Sequence, residues 1–382
     1  MIKFLHTADL HLGKVFHEQS LIEDQEYMLA GLAEILRDES YAALVMAGDV
    51  YDRSVPSPEA VELFGSFLVK LKRLRPGIEI LVIPGNHDSP VRLGFGRELF
   101  AGLGIHLAAA PQDAERPVVV SGGGESCAFF LLPFSSQARF AAAAATRLEE
   151  ARRLCAASGT AYSVVAAHLF AAGGSEAGSE RMFLGDAERI DMGLFAGFDY
   201  AALGHLHRFQ RAGKNGWYSG SPLAYSFGEA GNEKYFLSVT LGGAAAGTGE
   251  KVRVEPIPVR PLRRLVRLRG PFKRFLTPSP DDGELMDVKN DYLEITLDER
   301  RFAENALALL RKNFPFLLSI NQEEAFAVLE KTLRVPGTAF QGGRKDLAGN
   351  FEDFLRFLYG GVDSSKAALF RELEREPGGE EQ

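Results

Sequence analysis

"YAALVMAGDVYDR" (residues 41–53) runs seven apolar residues into a glycine and then two aspartates, Asp49 and Asp52. A run this short and this continuously apolar predicts a strand covered on both faces. Its end is the informative part, because carboxylates emerge there from a buried element. Four other stretches repeat the plan. "FLHTADLHLG" (4–13) ends in Asp9 and His11, and "LVIPGNHD" (81–88) in Asn86, His87 and Asp88. "VVAAHLF" (164–170) carries His168, and "AALGHLH" (201–207) ends in His205 and His207. Six of the eight histidines of the chain fall in these stretches.

The predicted strands are 2–5, 41–47, 78–83, 162–167 and 200–203, with helical patterns over 20–39, 57–74 and 136–157. Ser57 and Pro58 open the second helix as N-cap and first helical residue. Alternating strand and helix predicts a layered α/β domain, β-sheets flanked by helices. In such domains ligands bind at the carboxyl ends of the strands. Taken singly, each motif has a plainer reading. Asp9-Leu10-His11 is an exposed turn, GDVYD and GNHD are turns, and His168 is a satisfied core histidine. Together, at five strand ends, they predict one crevice. An extended backbone sends residues i and i+2 to one side, so His205 and His207 are expected to face that crevice together.

Two carboxylates, four imidazoles and an amide oxygen, with no thiolate, suit first-row divalent metals. They are too many for one tetrahedral zinc and enough for two ions. A two-metal clamp serves in-line displacement at phosphorus, and one carboxylate has to bridge the pair. The net charge is −8. That disfavours a generic cationic nucleic-acid or membrane binder, yet a dinuclear centre is locally positive and draws a phosphodiester.

The two cysteines, Cys127 and Cys155, form no CxxC pair and no disulfide framework. No signal peptide or membrane-length apolar run is visible, so a soluble cytoplasmic protein is expected. The domain organisation reads as 1–256 for the α/β domain with a β-rich close, and 257–333 for a small α/β domain. Strands are predicted in 261–270, 291–298 and 316–320, with a helix over 299–314. A linker at 334–345 and two short amphipathic helices fall within 334–382. Phe351, Phe354, Leu355 and Leu358 mark the first helix, and Leu369, Phe370 and Leu373 the second.

The ordered series D-L-H-L-G, G-D-V-Y-D-R, G-N-H-D, a lone strand-end His and G-H-L-H resembles the calcineurin-like metallophosphoesterases. Within them the chain is most similar to nuclease subunits of bacterial nuclease–ATPase complexes. That similarity rests on "LHTADLHLGK", "AGDVYDRSVPS", "GNHDS" and "YSGSPLAYSFGEAGNEKYF" (218–236). The resemblance implies Asp9, His11 and His207 as ligands of a first metal and Asn86, His168 and His205 as ligands of a second. Asp49 would bridge them. His87 would act on the phosphate or leaving oxygen, Asp52 would orient His87, and Asp88 would support the ligands. Two divalent ions are implied, manganese first, with magnesium, iron, cobalt or zinc compatible. The implied activity is double-strand DNA exonuclease and single-strand or hairpin endonuclease, in DNA repair, recombination and replication.

The small domain would cap the site and help present DNA. The segment 251–275 has nine basic residues and one acidic. Arg263, Arg264, Arg267 and Arg269 are candidate phosphate contacts or an ordinary solvated face. Arg53 is a candidate phosphate contact or an ion-pair partner. The C-terminal helices would dock on an ATPase subunit or pack back on their own chain. The sequence has no G-x-x-x-x-G-K-[ST] run. A homodimer within a heterotetramer is implied, with helix 57–74 a contributor. The rival readings are a stand-alone phosphodiesterase or phosphatase for small nucleotides, and a non-catalytic scaffold.

Overall fold

The computed structural model describes residues 1–134, 146–151, 153–154, 159–171, 190–242, 251–298, 305–322, 348–349, 351–352, 355–356, 362 and 364–375. Two compact units are present, Met1–Leu265 and Val266–Gln382. Among the described residues no helix is long and apolar enough to cross a membrane.

The first unit is built on two six-stranded sheets. In the first sheet β1 (Ile2–Thr7), β4 (Tyr41–Ala47), β5 (Glu79–Ile83) and β6 (Ile105–Leu107) run parallel. Antiparallel β13 (Tyr235–Leu241) and β14 (Val252–Pro258) extend it beyond β1. In the second sheet β8 (Glu125–Leu132), β9 (Tyr162–His168), β10 (Tyr200–Gly204) and β12 (Gly216–Tyr218) run parallel. Antiparallel β7 (Val118–Gly122) and β11 (Gln210–Ala212) close its two edges. A small hairpin, β2 (Val15–Phe16) and β3 (Gln19–Ser20), follows β1.

One apolar core joins the two sheets. Phe4, Val45, Leu81 and Val239 from the first meet Phe129, Val164 and Ala202 from the second. The opposite face of the second sheet has its own core, with Phe130, Val165 and Leu203 packed with Phe195 and Phe198. On the first sheet the alternate residues Leu44, Met46 and Ile80 are also fully buried. Burial on both faces is why these strands read as unbroken apolar runs. Sheet against sheet fixes the carboxyl ends of β1, β4, β5, β9 and β10 at one end of the sandwich.

Helix α1 spans Ile22–Ile35, shorter than the predicted 20–39. Beyond it the guanidinium of Arg75 donates to the carbonyls of Leu36, Asp38, Glu39 and Tyr41, which holds the chain as a loop. Helix α2 (Pro58–Leu74) matches its prediction, and the Ser57 side chain accepts from the Ala60 N–H. The β7–β8 hairpin is not expected from the sequence. Gly123 (φ 58°) and Gly124 (φ 79°) make its turn, the pairing of left-handed residues that tight hairpins favour. Of helix 136–157, residues 136–145, 152 and 155–157 lie outside the described residues, as does the linker 334–345.

The second unit holds a three-stranded sheet of β15 (Leu265–Gly270), β16 (Tyr292–Leu297) and β17 (Leu317–Asn321). Its core contains Leu268, Phe275, Leu293, Ile295, Leu310 and Phe314. The helix expected over 299–314 is described only at Ala306–Leu310. Near the C-terminus a helix spans Ser364–Arg375. Phe351 and Phe370 stack with ring centroids 4.2 Å apart, Leu355 is buried and Leu369 is exposed. Phe354, Leu358 and the side chain of Leu373 lie outside the described residues.

Candidate metal centre

Where β1 and β4 end, their loops zip together. The N–H groups of Asp9, His11 and Leu12 donate to the carbonyls of Gly48, Asp49 and Val50 at 2.9–3.0 Å. Asp88 ties in a third loop, its carboxylate accepting from the N–H groups of Val50, Tyr51 and Gly85 at 2.9–3.0 Å. The loops approach closer than a side chain allows. A Cβ on Gly48, which has φ +95°, would fall 2.2 Å from His168 Nδ1. One on Gly85 would fall 2.1 Å from Asp49 Oδ1, and one on Gly204 2.0 Å from the Ala47 carbonyl. Three motifs therefore carry glycine because the donor groups crowd them.

The donor atoms converge in two sets. His11 Nε2 lies 3.1 Å from His207 Nε2, and with Asp9 these two form one group able to hold a cation. Asn86 Oδ1 lies 2.9 Å from His168 Nε2 and 3.1 Å from His205 Nδ1. Asp49 faces both sets. Its Oδ1 accepts from the His87 N–H at 2.9 Å, which leaves Oδ2 at 3.7 Å from His11 Nε2 and 3.5 Å from His168 Nε2. All seven sequence-derived metal candidates thus line one buried cluster. The chemistry of the donors fits cations. His168 Nδ1 donates to the Ala47 carbonyl at 2.9 Å, so Nε2 faces two further oxygen acceptors and needs a proton or a cation between them. Lone pairs aimed at one another are repulsive unless a proton or a metal sits among them.

A family model described as calcineurin-like phosphoesterase matches residues 2–209. The chain belongs to that family. Solved structures similar to it include a hypothetical protein and TT1561, both from Thermus thermophilus. The first is 15% identical, with TM-score 0.36, over 67% of this chain and 98% of that one. The second is 13% identical, with TM-score 0.41, over 68% of this chain and 99% of that one. Membership makes the chain a metal-dependent phosphoesterase, and the Asp/His groups above are where this calcineurin-like chain can hold its metals.

One expectation about this phosphoesterase site is corrected. His205 and His207 do not share a side because of extended backbone. The strand stops at Gly204, and His205 has φ 104°. Its N–H turns to both oxygens of Asp9, at 3.0 and 3.2 Å, and the two imidazoles go to different donor sets. Asp9, His11 and Asp49 also occupy left-handed backbone, with φ 55°, 44° and 50°. Asp52 does lie against His87, as expected. Its backbone carbonyl meets His87 Nδ1 at 2.8 Å. The carboxylate pairs with Lys14 Nζ at 2.7 Å and lies 3.6 Å from His11 Nδ1.

Burial and charge pull against each other among these side chains. Burial pulls His168 down, but Asp49 and Asp9 outweigh it and raise the imidazole to about 9. Burial pushes Asp49 up, and His168 with His11 reverses that to leave it well below the usual carboxylate range. His205, buried and beside His168, falls to about 3.

The arginine candidates differ in what they touch. Arg53 is exposed, 3.8 Å from Asp52 Oδ2. Arg263 is only 14% exposed and pairs with Glu23 at 2.7 Å and Asp24 at 3.0 Å, so its charge is used inside the first unit. Arg267 and Arg269 pair with Glu294 and Asp298, each at 2.8 Å, and Arg264 is exposed. Sequence reasoning assigns no role to Gln25 or Tyr225. Gln25 is fully buried; its Nε2 donates to the His11 carbonyl at 2.7 Å and its Oε1 accepts from the Gly13 N–H at 2.9 Å. The Tyr225 hydroxyl donates to the Leu10 carbonyl. Tyr225 lies in the quoted stretch 218–236, where only the family likeness speaks.

Proposed function

We propose that this protein is an SbcD-like nuclease, a two-metal DNA phosphodiesterase of the cytoplasm that works with an SbcC-type ATPase subunit in DNA repair and recombination. The observation that carries the two-metal reading is the place of Asp49 Oδ2, within 3.7 Å of His11 and 3.5 Å of His168. One carboxylate oxygen is thereby offered to both donor sets. Two divalent ions there, manganese first, would polarise the phosphoryl group and lower the pKa of water for attack.

The residues of the chain supply the rest. His87 is half-buried, and its Nδ1–H is held by the Asp52 carbonyl. That tautomer leaves the lone pair on Nε2, the atom that would contact the phosphate and pass a proton to the leaving oxygen. The preference for DNA is supported by the motif likeness over 218–236 and by the additional folded unit beyond Leu265. It does not lean on Arg263, which is engaged inside the first unit. A second copy of the chain is the proposed occupant of an apolar face. Val91, Phe95, Leu99 and Leu103 recur every four residues and are 85%, 82%, 80% and 61% exposed. Val61 and Val69 on α2 are exposed as well.

The test is manganese-dependent cleavage of end-labelled duplex and hairpin DNA, with and without the ATPase. Cleavage by wild type and its loss in His87→Ala with metal content unchanged is the expected result. Hydrolysis of a cyclic nucleotide with DNA left intact would instead select the small-nucleotide phosphodiesterase.

A further inference from the structure

Glu229 lies 22 residues beyond His207, at the end of a single 3-10 turn, Phe227–Glu229. Its carboxylate is wholly buried, a position that demands counter-charge and hydrogen-bond donors. Lys234 Nζ supplies the charge, 2.5 Å from Oε2. The hydroxyls of Ser226 and Ser221 lie 3.3 Å from Oε1 and 3.4 Å from Oε2. His207 is a further neighbour, with Nδ1 3.3 Å from Oε1. The same cluster holds the His207 backbone. Its carbonyl accepts from Lys234 Nζ at 3.1 Å and from the Ser221 N–H at 3.2 Å.

An ionised carboxylate only accepts, so Nδ1 of His207 carries the proton and the ring lone pair sits on Nε2. That atom is the one 3.1 Å from His11 Nε2, in the donor set that includes Asp9. We propose that Glu229, backed by Lys234, is a positioning residue that locks His207 as the Nδ1–H tautomer and aims Nε2 at the first cation. The inference rests on the two-metal reading above. It also makes the two cation positions unequal. His168 is oriented by a neutral carbonyl, that of Ala47, whereas His207 is oriented by a charged carboxylate, which raises the donor strength of the ring.

Manganese titration of the full chain by calorimetry and electron paramagnetic resonance tests this. Wild type is expected to take up two ions. Glu229→Gln is expected to keep one at wild-type affinity and to weaken the other by about 10–100-fold. Because that variant leaves Lys234 buried without its partner, E229Q/K234M is measured beside it, with the same single weakened site expected. Nitrogen-15 imidazole spectra of metal-free wild type read the His207 tautomer with no substitution at all, and Nδ1–H is expected. Wild-type binding of both ions in both variants, equal weakening of both ions in both variants, or an Nε2–H tautomer would overturn the assignment. Wild type that binds fewer than two ions would refute the two-metal reading instead, while the tautomer would still decide the role of Glu229.

Discussion

Replacing Gly85 with alanine asks whether the Asp49 position depends on how closely two loops approach. A Cβ there falls 2.1 Å from Asp49 Oδ1 and 2.4 Å from Asp49 N. Ordinary contact needs about 3.5 Å, so the atoms must part by about 1 Å. Gly85 is not among the residues with positive φ, so alanine brings no backbone strain of its own and the whole effect is collision. The Asp49 loop has little room to yield, because Asp9, His11 and Leu12 hydrogen-bond to it on one side and Asp88 on the other. Moving Asp49 gives up its bond from the His87 N–H, 2.9 Å long. A hydrogen bond to a charged acceptor contributes about 1.5–3 kcal/mol, which sets the expected loss of stability. A shift of this size in a group that orders the reacting centre costs on the order of 100-fold in rate. Since Asp49 Oδ2 faces both donor sets, both ions should be lost together. Gly65→Ala is the control. Gly65 sits in α2 with nothing within 4 Å of its added Cβ, and alanine should stabilise by about 0.5–1 kcal/mol. Urea unfolding, metal content by mass spectrometry and manganese-dependent hydrolysis of bis(p-nitrophenyl) phosphate give the three readouts. A Gly85→Ala protein that holds two ions and hydrolyses at the wild-type rate would refute the reasoning.

Other outcomes follow from the same packing. Burial lowers His6 from 6.5 to about 3, while its Nδ1 keeps the Tyr200 hydroxyl at 3.0 Å. The unfolded chain then binds a proton below pH 6.5 that the fold refuses until about pH 3. Stability from this group is full above pH 6.5 and declines on acidification, by about 2 kcal/mol at pH 5. His6→Gln should flatten the urea midpoint between about pH 7 and pH 5, and an unchanged slope would count against it. If wild type runs as the proposed dimer in light scattering, the double variant Phe95→Glu, Leu99→Glu should run as a monomer; identical masses would remove that face as the dimer contact. Arg263→Met removes the guanidinium 3.0 Å from the buried Asp24 carboxylate and should destabilise by about 3 kcal/mol in urea, while the salt dependence of DNA binding stays as in wild type. A lost DNA affinity at unchanged stability would reverse that assignment.

What the sequence made legible was the set of donors. Apolar runs marked β1, β4, β5, β9 and β10, and the residues carrying the chemistry stood at their ends, so pattern and function were written in the same few positions. Backbone conformation and pairing are less readable. Left-handed backbone at His205 leaves no trace in a local pattern, because any non-glycine residue there is held by its surroundings, here the Asp9 carboxylate. Asp52 shows the same limit, since composition names a carboxylate and not which of its oxygens or its carbonyl faces a neighbour. Arg263 reads as part of a basic run, yet its partner Asp24 is 239 positions away. Glu229 reaches His207 only through the folded loop between them. The β7–β8 hairpin carries two signals, its paired glycines and the apolar run Cys127–Leu132.

Asp9, His11, Asp49 and His205 hold a backbone conformation that glycine would adopt freely. Each is destabilised by about 1 kcal/mol relative to a residue without a Cβ. Set against the roughly 5–15 kcal/mol by which domains are usually stable, roughly 4 kcal/mol is a large standing load. At Asp9 and Asp49 the carboxylates offset that strain by accepting the N–H groups of His205 and His87, so glycine there loses more than it relieves. His205 is only partly buried, and there thermal selection and catalytic selection pull in opposite directions. A library screened for heat resistance alone should enrich glycine at His205 and lose hydrolysis as it does so.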